Sequence, residues 1–486
     1  MRKLIQDPLS IFLFIFFSLF TTGRVYSQRP DKGKSDNIAE RLDSLINSSS
    51  VLKNTEVGVI VYDLTAKSDI FRYQAEKLYR PASVEKVITT VTALSVLGKD
   101  YKINTSLSYS GHLEGDTLHG NLYVKGDFDP EFMEEDMKTM VESVVSSGIK
   151  YVKGRVVGDV SMMDSVYWGP GWAWDDSPES FQPYLSPLML NRGCIGVTIS
   201  PTAKGSRPEV TLSPETDFFT VDNHSICGVP SKGAARITRN WMYNDNTIIV
   251  SGNVKSKEST LLNVFDSKDY FLRTFRYQLQ QRGVYASADS IDFGTVPLEA
   301  KNIYTVGRDI KEVLKQALKE SDNLSAEALF FHATRNICGG RKYLSHKDGQ
   351  KAIYRFLDTE IGMKSSNYNI VDGSGVSGYN YISPELILSY LKYAFSSPFI
   401  FHPFYDSLPI AGIDGTLKYR MRKGKSFRNV RAKTGTLTGV SSLAGYVNNV
   451  SGHTLAFVII NQNVIKAGAA RRFQDSVCEI LATTGI

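Results

Sequence analysis

The chain has 486 residues, enough for two or more domains and a large core. Hydrophobic residues make up 42% and charged residues 22%, a balance that excludes a disordered chain. The formal charge of +6 is a mild excess, and no dense basic cluster with interleaved aromatics is present, so nucleic acid is not an expected partner.

At the N-terminus, Arg2 and Lys3 precede the apolar run LSIFLFIFFSLF, and small and polar residues follow to Ser27. This layout predicts a secretory signal peptide over residues 1–27, cut between Ser27 and Gln28. The alternative is a membrane anchor, but the apolar run is short for a span. No cysteine lies near the cut, which argues against a lipid-modified terminus. The expected location is therefore periplasmic or otherwise extracytoplasmic, with peripheral membrane contact left open.

From Ser35, SDNIAERLDSLINS reads as a capped amphipathic helix. EVGVIVYDLTAKSDIFRY from Glu56 reads as two strands around a turn. A helix follows, with the stripe Val84, Val87, Ile88, Val91 and Leu94, Pro81 at its entry and Gly98 as its stop. Between residues 101 and 300 short strands with turn residues dominate. Helical periodicity returns at IKEVLKQALKESDN from Ile310, and the chain ends strand, strand, helix. The reading is one α+β domain, residues 28–100 plus 301–486, interrupted by a mostly β region, 101–300, of two small subdomains. The nested arrangement is preferred because the segment before residue 100 is too short to form a core alone.

Ser83 and Lys86 are three apart at the start of the apolar helix and so share a face. An N-cap serine beside a solvated lysine would explain the pair as well as chemistry does. Ser-x-x-Lys also begins at Ser50, Ser147 and Ser389, so the spacing alone decides nothing. The chemical reading is a nucleophile with its base. A serine hydroxyl attacks only when its proton is taken, and a partly buried lysine beside another cation can be neutral enough to take it. No histidine–aspartate pair accompanies Ser83. Two further motifs lie downstream. Ser321-Asp322-Asn323 ends one helical stretch before another, and Lys433-Thr434-Gly435-Thr436 opens the C-terminal strands.

In this order the three motifs resemble the set shared by serine β-lactamases and penicillin-binding proteins. The flanks GDFDPEF, GPGWAWDD, DGSGVSGYNYISP and GTLKYRMRKGKSFRNVRAKTGTLTGVSSLAGYV narrow the likeness. They are similar to class C low-molecular-mass penicillin-binding proteins, which are D-alanyl-D-alanine carboxypeptidases and endopeptidases. The resemblance runs from about residue 38 to the end and includes the long insertion between the first and second motifs. It implies the β-lactamase/penicillin-binding fold, an antiparallel sheet flanked by helices.

The resemblance also implies roles. Ser83 is acylated, Lys86 is its base, and Ser321 relays protons toward the leaving nitrogen. Asn323 meets the substrate's backbone amide. Lys433 supplies a cation for the terminal carboxylate, and Thr434 shares that contact. Backbone N–H groups of Ser83 and Thr436 form the oxyanion hole. Gly435 is expected to leave room for the substrate's backbone. Asp322 is read as structural, and Glu85, between the two catalytic positions, as facing away. Where relatives often carry arginine at the end of the Asp372 loop, this chain has Gly378. In the insertion, Asp176 follows Trp172 and Trp174. The segment is either a packed aromatic turn or a site where Asp176 meets the amine of the substrate's diamino acid.

The implied partners are peptidoglycan peptides, with β-lactams as inhibitors; no cofactor and no metal are implied. The alternatives are a β-lactamase-like hydrolase, or a wall-peptide-binding protein without turnover. Cys194 with Cys227, and Cys338 with Cys478, are candidate disulfides, though four cysteines allow three pairings.

Overall fold

Eight residues of alternating and continuous apolar character, Glu56–Asp63 (β1), begin a five-stranded sheet. Its other members are Ser68–Tyr73 (β2), Arg431–Leu437 (β3), Gly439–Asn448 (β4) and Thr454–Val464 (β5). The order is β2-β1-β5-β4-β3, antiparallel throughout. β4 and β5 are buried almost along their whole length, which requires cover on both faces. The computed structural model describes residues 37–287 and 290–486. The expected signal peptide lies outside the described residues, as does Ser35. The first helix, Ile38–Ser48 (α1), is capped by Asn37, whose side chain accepts from the Ala39 N–H.

One face of the sheet carries α1 and the C-terminal helix Ala467–Thr483 (α5), joined in a core that includes Leu42, Val59, Leu443, Phe457 and Val477. The other face carries Lys86–Leu97 (α2), Asn323–Ile337 (α3) and Pro384–Ser396 (α4). Here Ile60, Val87, Val91, Leu329, Leu391 and Val458 belong to one cluster. α2 is buried on every side from Lys86 to Leu94, so its lysine is carried into the interior with the apolar stripe.

The region after α2 forms a separate apolar cluster with Leu107, Val124, Val141, Ile195 and Phe271. It is strand-rich, but two helices, Glu134–Ser146 and Ser267–Gln281, qualify the mostly β expectation. Met137, Met140, Val141 and Val144 give the first of these its buried helical stripe. It connects strands Leu122–Lys125 and Val156–Asp159, which pair in parallel and therefore need a crossover. Strand Lys301–Asp309 pairs with Lys102–Tyr109, so the sheet of this region extends beyond the expected boundary at residue 300.

Phe128, Met163, Trp172 and Met189 from the same region pack into the core around α2 and α3. A fully buried arginine holds the segment that leads to the site. Arg239 donates to the Asn263 side-chain oxygen at 2.8 Å and to Ser177 Oγ at 3.0 Å. Asn263 in turn donates to the Gln182 carbonyl at 2.8 Å.

The disulfide expectation is corrected: all four cysteines are free. Cys338 packs with the α2–α3 core and Cys478 on the opposite face of the sheet, so the sheet separates that pair. Cys194 Sγ points to the Ser180 carbonyl, while Cys227 Sγ accepts from the Thr202 N–H. Burial pushes the Cys194 thiol up to about 12.

Candidate active site

Ser83 does not lie in α2 itself. It sits in a 3₁₀ turn, Ala82–Glu85, that feeds the helix. Ala82 takes a left-handed φ of 52°, an uncommon conformation for a residue with a side chain, immediately before the nucleophile position. The turn is held from outside: Ser442 Oγ on β4 donates to the Pro81 carbonyl at 2.6 Å. Gly435 on β3 allows this close approach. A Cβ there would fall 2.2 Å from Ser442 Oγ and 3.0 Å from the Ser83 nitrogen. A further reason for glycine stands beside the expected one: the crowding atoms belong to the protein itself.

Lys86 is fully buried. Its Nζ lies 3.0 Å from Ser83 Oγ, 2.8 Å from Asn323 Oδ1 and 2.7 Å from the Ser374 carbonyl. The last two partners can only accept. In the neutral amine they take both N–H bonds and leave the lone pair facing Ser83 Oγ. Desolvation lowers the Lys86 pKa to about 8, against the pull of Asp372, Asp322, Glu327 and Glu85, which raise it. The geometry and the charge state therefore suit a base for the Ser83 hydroxyl.

The second motif reaches this lysine through a helix start. Ser321 adopts a left-handed φ of 61°, and Asp322 caps α3 by accepting from the Ser325 N–H at 2.7 Å. Asn323, the first residue of α3, then points inward. Both ends of its amide are engaged: Oδ1 accepts from Lys86, and Nδ2 donates to the Phe181 carbonyl and to Gln182 Oε1. Asn323 thus ties the lysine to the insertion segment. From the third motif, Lys433 Nζ donates to Ser321 Oγ and to the Thr434 carbonyl, each at 2.7 Å. Thr434 Oγ1 donates to Thr416 Oγ1 at 2.8 Å. Thr436 is exposed, with its hydroxyl 3.3 Å from the Arg471 guanidinium on α5.

Comparison with known proteins agrees with this geometry. The profile of the D-Ala-D-Ala carboxypeptidase 3 (S13) family matches residues 38–484. The chain belongs to this family. It is 27% identical over 463 residues to a D-alanyl-D-alanine carboxypeptidase of Actinomadura sp. strain R39, covering 92% of this chain and 84% of that protein. Its identity with the carboxypeptidase DacB of Haemophilus influenzae is 26% over 413 residues, 84% of this chain and 85% of the other. The fold is that of penicillin-binding protein 4 from H. influenzae, with a TM-score of 0.78 at 24% identity over 90% of this chain and 98% of that one. A second structure of that protein, complexed with a β-lactam, superposes with a TM-score of 0.73 at 22% identity, covering 91% and 99% of the two chains. The enzyme is a D-Ala-D-Ala carboxypeptidase, a serine hydrolase.

Lys433 and Asp176 sit in different surroundings in this carboxypeptidase. Lys433 is wholly buried, and desolvation together with the nearby Lys86 charge drives its pKa well below the usual lysine range. Asp176 ends the short turn Trp174–Asp176, outside the hydrogen-bonded set of motif residues. Burial and then the neighbouring Asp175 raise its pKa. Its segment nevertheless touches the site on both sides. Trp172 Nε1 donates to Asp372 Oδ2 at 2.8 Å, and Phe181 and Gln182 hold Asn323.

Several contributors escaped the motif reading. Ser374 acts through a backbone carbonyl, which no residue type marks. Its loop is wound around Asp372, which accepts from Gly375 N, Ser377 N and Asn380 Nδ2. Glu327 on α3 accepts from the Gly373 and Ser374 N–H groups. The glycine-rich DGSGVSG run was the available signal for this loop. Glu85 was expected to face away; it does turn from Ser83, but into the protein. It is fully buried, and neither carboxyl oxygen has a protein hydrogen-bond partner among the described residues. Desolvation, then Asp372 and Glu327, push its pKa well up.

Acylation by a penicillin is expected to speed up as pH rises through about 8, where the Lys86 amine becomes neutral and able to accept a proton. Stopped-flow acylation rates between mildly acidic and alkaline pH test this; a profile flat across that range would remove Lys86 from the role. Glu85→Gln should lower that midpoint, because it removes one of the carboxyls that raise the Lys86 pKa. An unchanged midpoint would show instead that Glu85 is neutral beside Lys86.

Proposed function

We propose that this carboxypeptidase is exported and works on peptidoglycan stem peptides through an acyl-enzyme on Ser83, with β-lactams trapped by the same step. The observation that carries the reading is the lysine held by Asn323 and Ser374 with its third contact on Ser83 Oγ. Ser83 Oγ attacks the carbonyl of the penultimate D-alanine while Lys86 Nζ takes the hydroxyl proton. The oxyanion is received by the N–H groups of Ser83 and Thr436; such donors contribute about 3–4 kcal/mol to a barrier of this kind. The C–N bond then breaks as Ser321 Oγ relays to the leaving amine the proton that Lys86 took, which leaves Lys86 neutral again. Water enters, Lys86 takes its proton, and the ester to Ser83 is hydrolysed.

Lys433 serves the terminal carboxylate in a conditional way. A carboxylate arriving beside the buried amine opposes the desolvation that lowers its pKa and so favours the cation. Thr434, and the Thr436 hydroxyl with Arg471, complete that end of the site. In a β-lactam the amide that breaks is part of a ring, so the leaving nitrogen stays attached and hinders the entry of water. The β-lactam complex of the H. influenzae relative supports this arm. Endopeptidase cleavage of cross-links is the same chemistry with a longer leaving group.

The insertion sets substrate choice. Asp176, whose carboxyl is already disfavoured as an anion by burial, is stabilised as an anion by the free amine of a diamino acid. Export rests on the layout of residues 1–27. No helix among the described residues is long and apolar enough to cross a membrane.

Ser83→Ala is expected to abolish labelling by a fluorescent penicillin while leaving thermal unfolding unchanged, and peptide mass spectrometry of the native enzyme should find the adduct on Ser83. An adduct on another serine would refute the assignment; a label lost within seconds would favour the β-lactamase reading, and no label at all a binding protein. Asp176→Asn should lower cleavage of peptides bearing a free diamino-acid amine by about fivefold or more, and spare small D-Ala-D-Ala peptides without it. Equal losses on both would assign Asp176 to folding, and no loss on either would remove it from the site.

A further inference from the structure

The insertion carries a short hairpin whose outer face the carboxypeptidase chemistry does not use. Strand His112–Glu114 runs back on strand Thr117–His119 through the two-residue turn Gly115–Asp116, where Gly115 takes a positive φ. The register pairs His112 with His119, Leu113 with Leu118 and Glu114 with Thr117. Alternation then places His112, Glu114 and His119 on one face, while Leu118 is fully buried on the other. The hairpin is tied to the body by parallel pairing of Thr117 and Leu118 with Tyr151 and Val152.

The three side chains already converge. Their ligand atoms lie within 4.8 Å of one another, the only such His/Cys/Asp/Glu group among the described residues. The two imidazoles face each other, with ring centroids 5.1 Å apart and planes inclined by 7°. His119 Nε2 is 3.5 Å from Glu114 Oε2. Ligands about 2.0–2.1 Å from a tetrahedral metal stand roughly 3.3 Å apart, so the second pair is already at a coordination edge. Closing the imidazole pair needs only rotation of exposed rings, with the backbone register unchanged.

We propose that His112, Glu114 and His119 bind a borderline divalent transition-metal ion, of which Zn²⁺ is the representative, at a surface site separate from the Ser83 centre. Two imidazoles and one carboxylate suit Zn²⁺ and its neighbours; Ca²⁺ and Mg²⁺ prefer sites made wholly of oxygen donors. Three protein ligands leave a position for water or for a donor from a second molecule. The site clasps the two strands of an edge hairpin across their register, so its direct effect is on the hairpin and not on acyl transfer.

The test is calorimetric titration of the untagged, chelator-treated chain with Zn²⁺, together with the visible absorption of the Co²⁺-substituted protein. One equivalent should bind, with Co²⁺ bands of low symmetry and high intensity. His112→Ala and His119→Ala should each weaken binding by about tenfold or more, and the double variant should abolish it. Ca²⁺ and Mg²⁺ should not compete. Penicillin labelling of Ser83 should be unchanged in all variants, which also separates failure of this inference from failure of the acyl-enzyme reading. Binding retained in the double variant, or no saturable binding by the unaltered chain, overturns the proposal and leaves a solvated cross-strand histidine pair.

Discussion

Much of this molecule follows from burying one lysine that has to hold a proton only part of the time. An amine taken out of water needs acceptors, and Lys86 finds one three residues upstream and two others far along the chain, at Asn323 and Ser374. Those distant partners can be supplied only if α3 packs against α2 and the Asp372 loop closes over both. The apolar stripe of α2 provides that packing. Satisfying the amine and building the site are therefore one event, and a chain that fails to bring Ser374 into place leaves a buried donor unpaired.

The insertion belongs to the same arrangement. It does not simply hang from the catalytic body: Gln182 and the Phe181 carbonyl fix the amide of Asn323, and Trp172 reaches the Asp372 carboxylate. Arg192 lies 3.6 Å from Asp322, beside the turn that presents Ser321. Behind these contacts Arg239 and Asn263 brace the segment from Ser177 to Gln182. A change in the insertion can thus reach Lys86 through Asn323 alone, with the amide as the transmitting group. That is a physical reason for so long a segment to persist between two short motifs.

The motifs were legible because their chemistry sits on side chains at fixed spacings. Ser83 with Lys86, Ser321 with Asn323, and Lys433 could each be named from the chain, and the central sheet could be read from its apolar runs. What stayed hidden has physical causes. The contribution of Ser374 is a carbonyl oxygen, identical in every residue. Glu85 was placed by α-helical spacing, but the backbone there is a 3₁₀ turn after a left-handed Ala82, which sends the side chain inward. The crowding of Gly435 was not read from the chain because it needs both the Ser442 register of the neighbouring strand and the Pro81–Ser83 turn, which lies far away in sequence. The helix Glu134–Ser146 was missed amid strands, since short β signals on either side dominated the texture. Disulfides were inferred from compartment alone, and compartment says nothing of whether two sulfurs meet.

The acids beneath Lys86 show how opposed terms set its strength as a base. Desolvation by itself would make the amine a poor proton acceptor, since a base whose pKa falls too far holds a proton weakly. Asp372, Asp322 and Glu327 pull the other way and leave it at about 8. The three carboxyls around the buried turn are not equivalent. Asp372 is saturated by N–H and side-chain donors on both oxygens. Glu327 is bonded through one oxygen, and Glu85 through none. Negative charge is therefore stabilised where the loop donates to it and refused where nothing does. The same burial that weakens the lysine's hold on its proton strengthens the glutamate's.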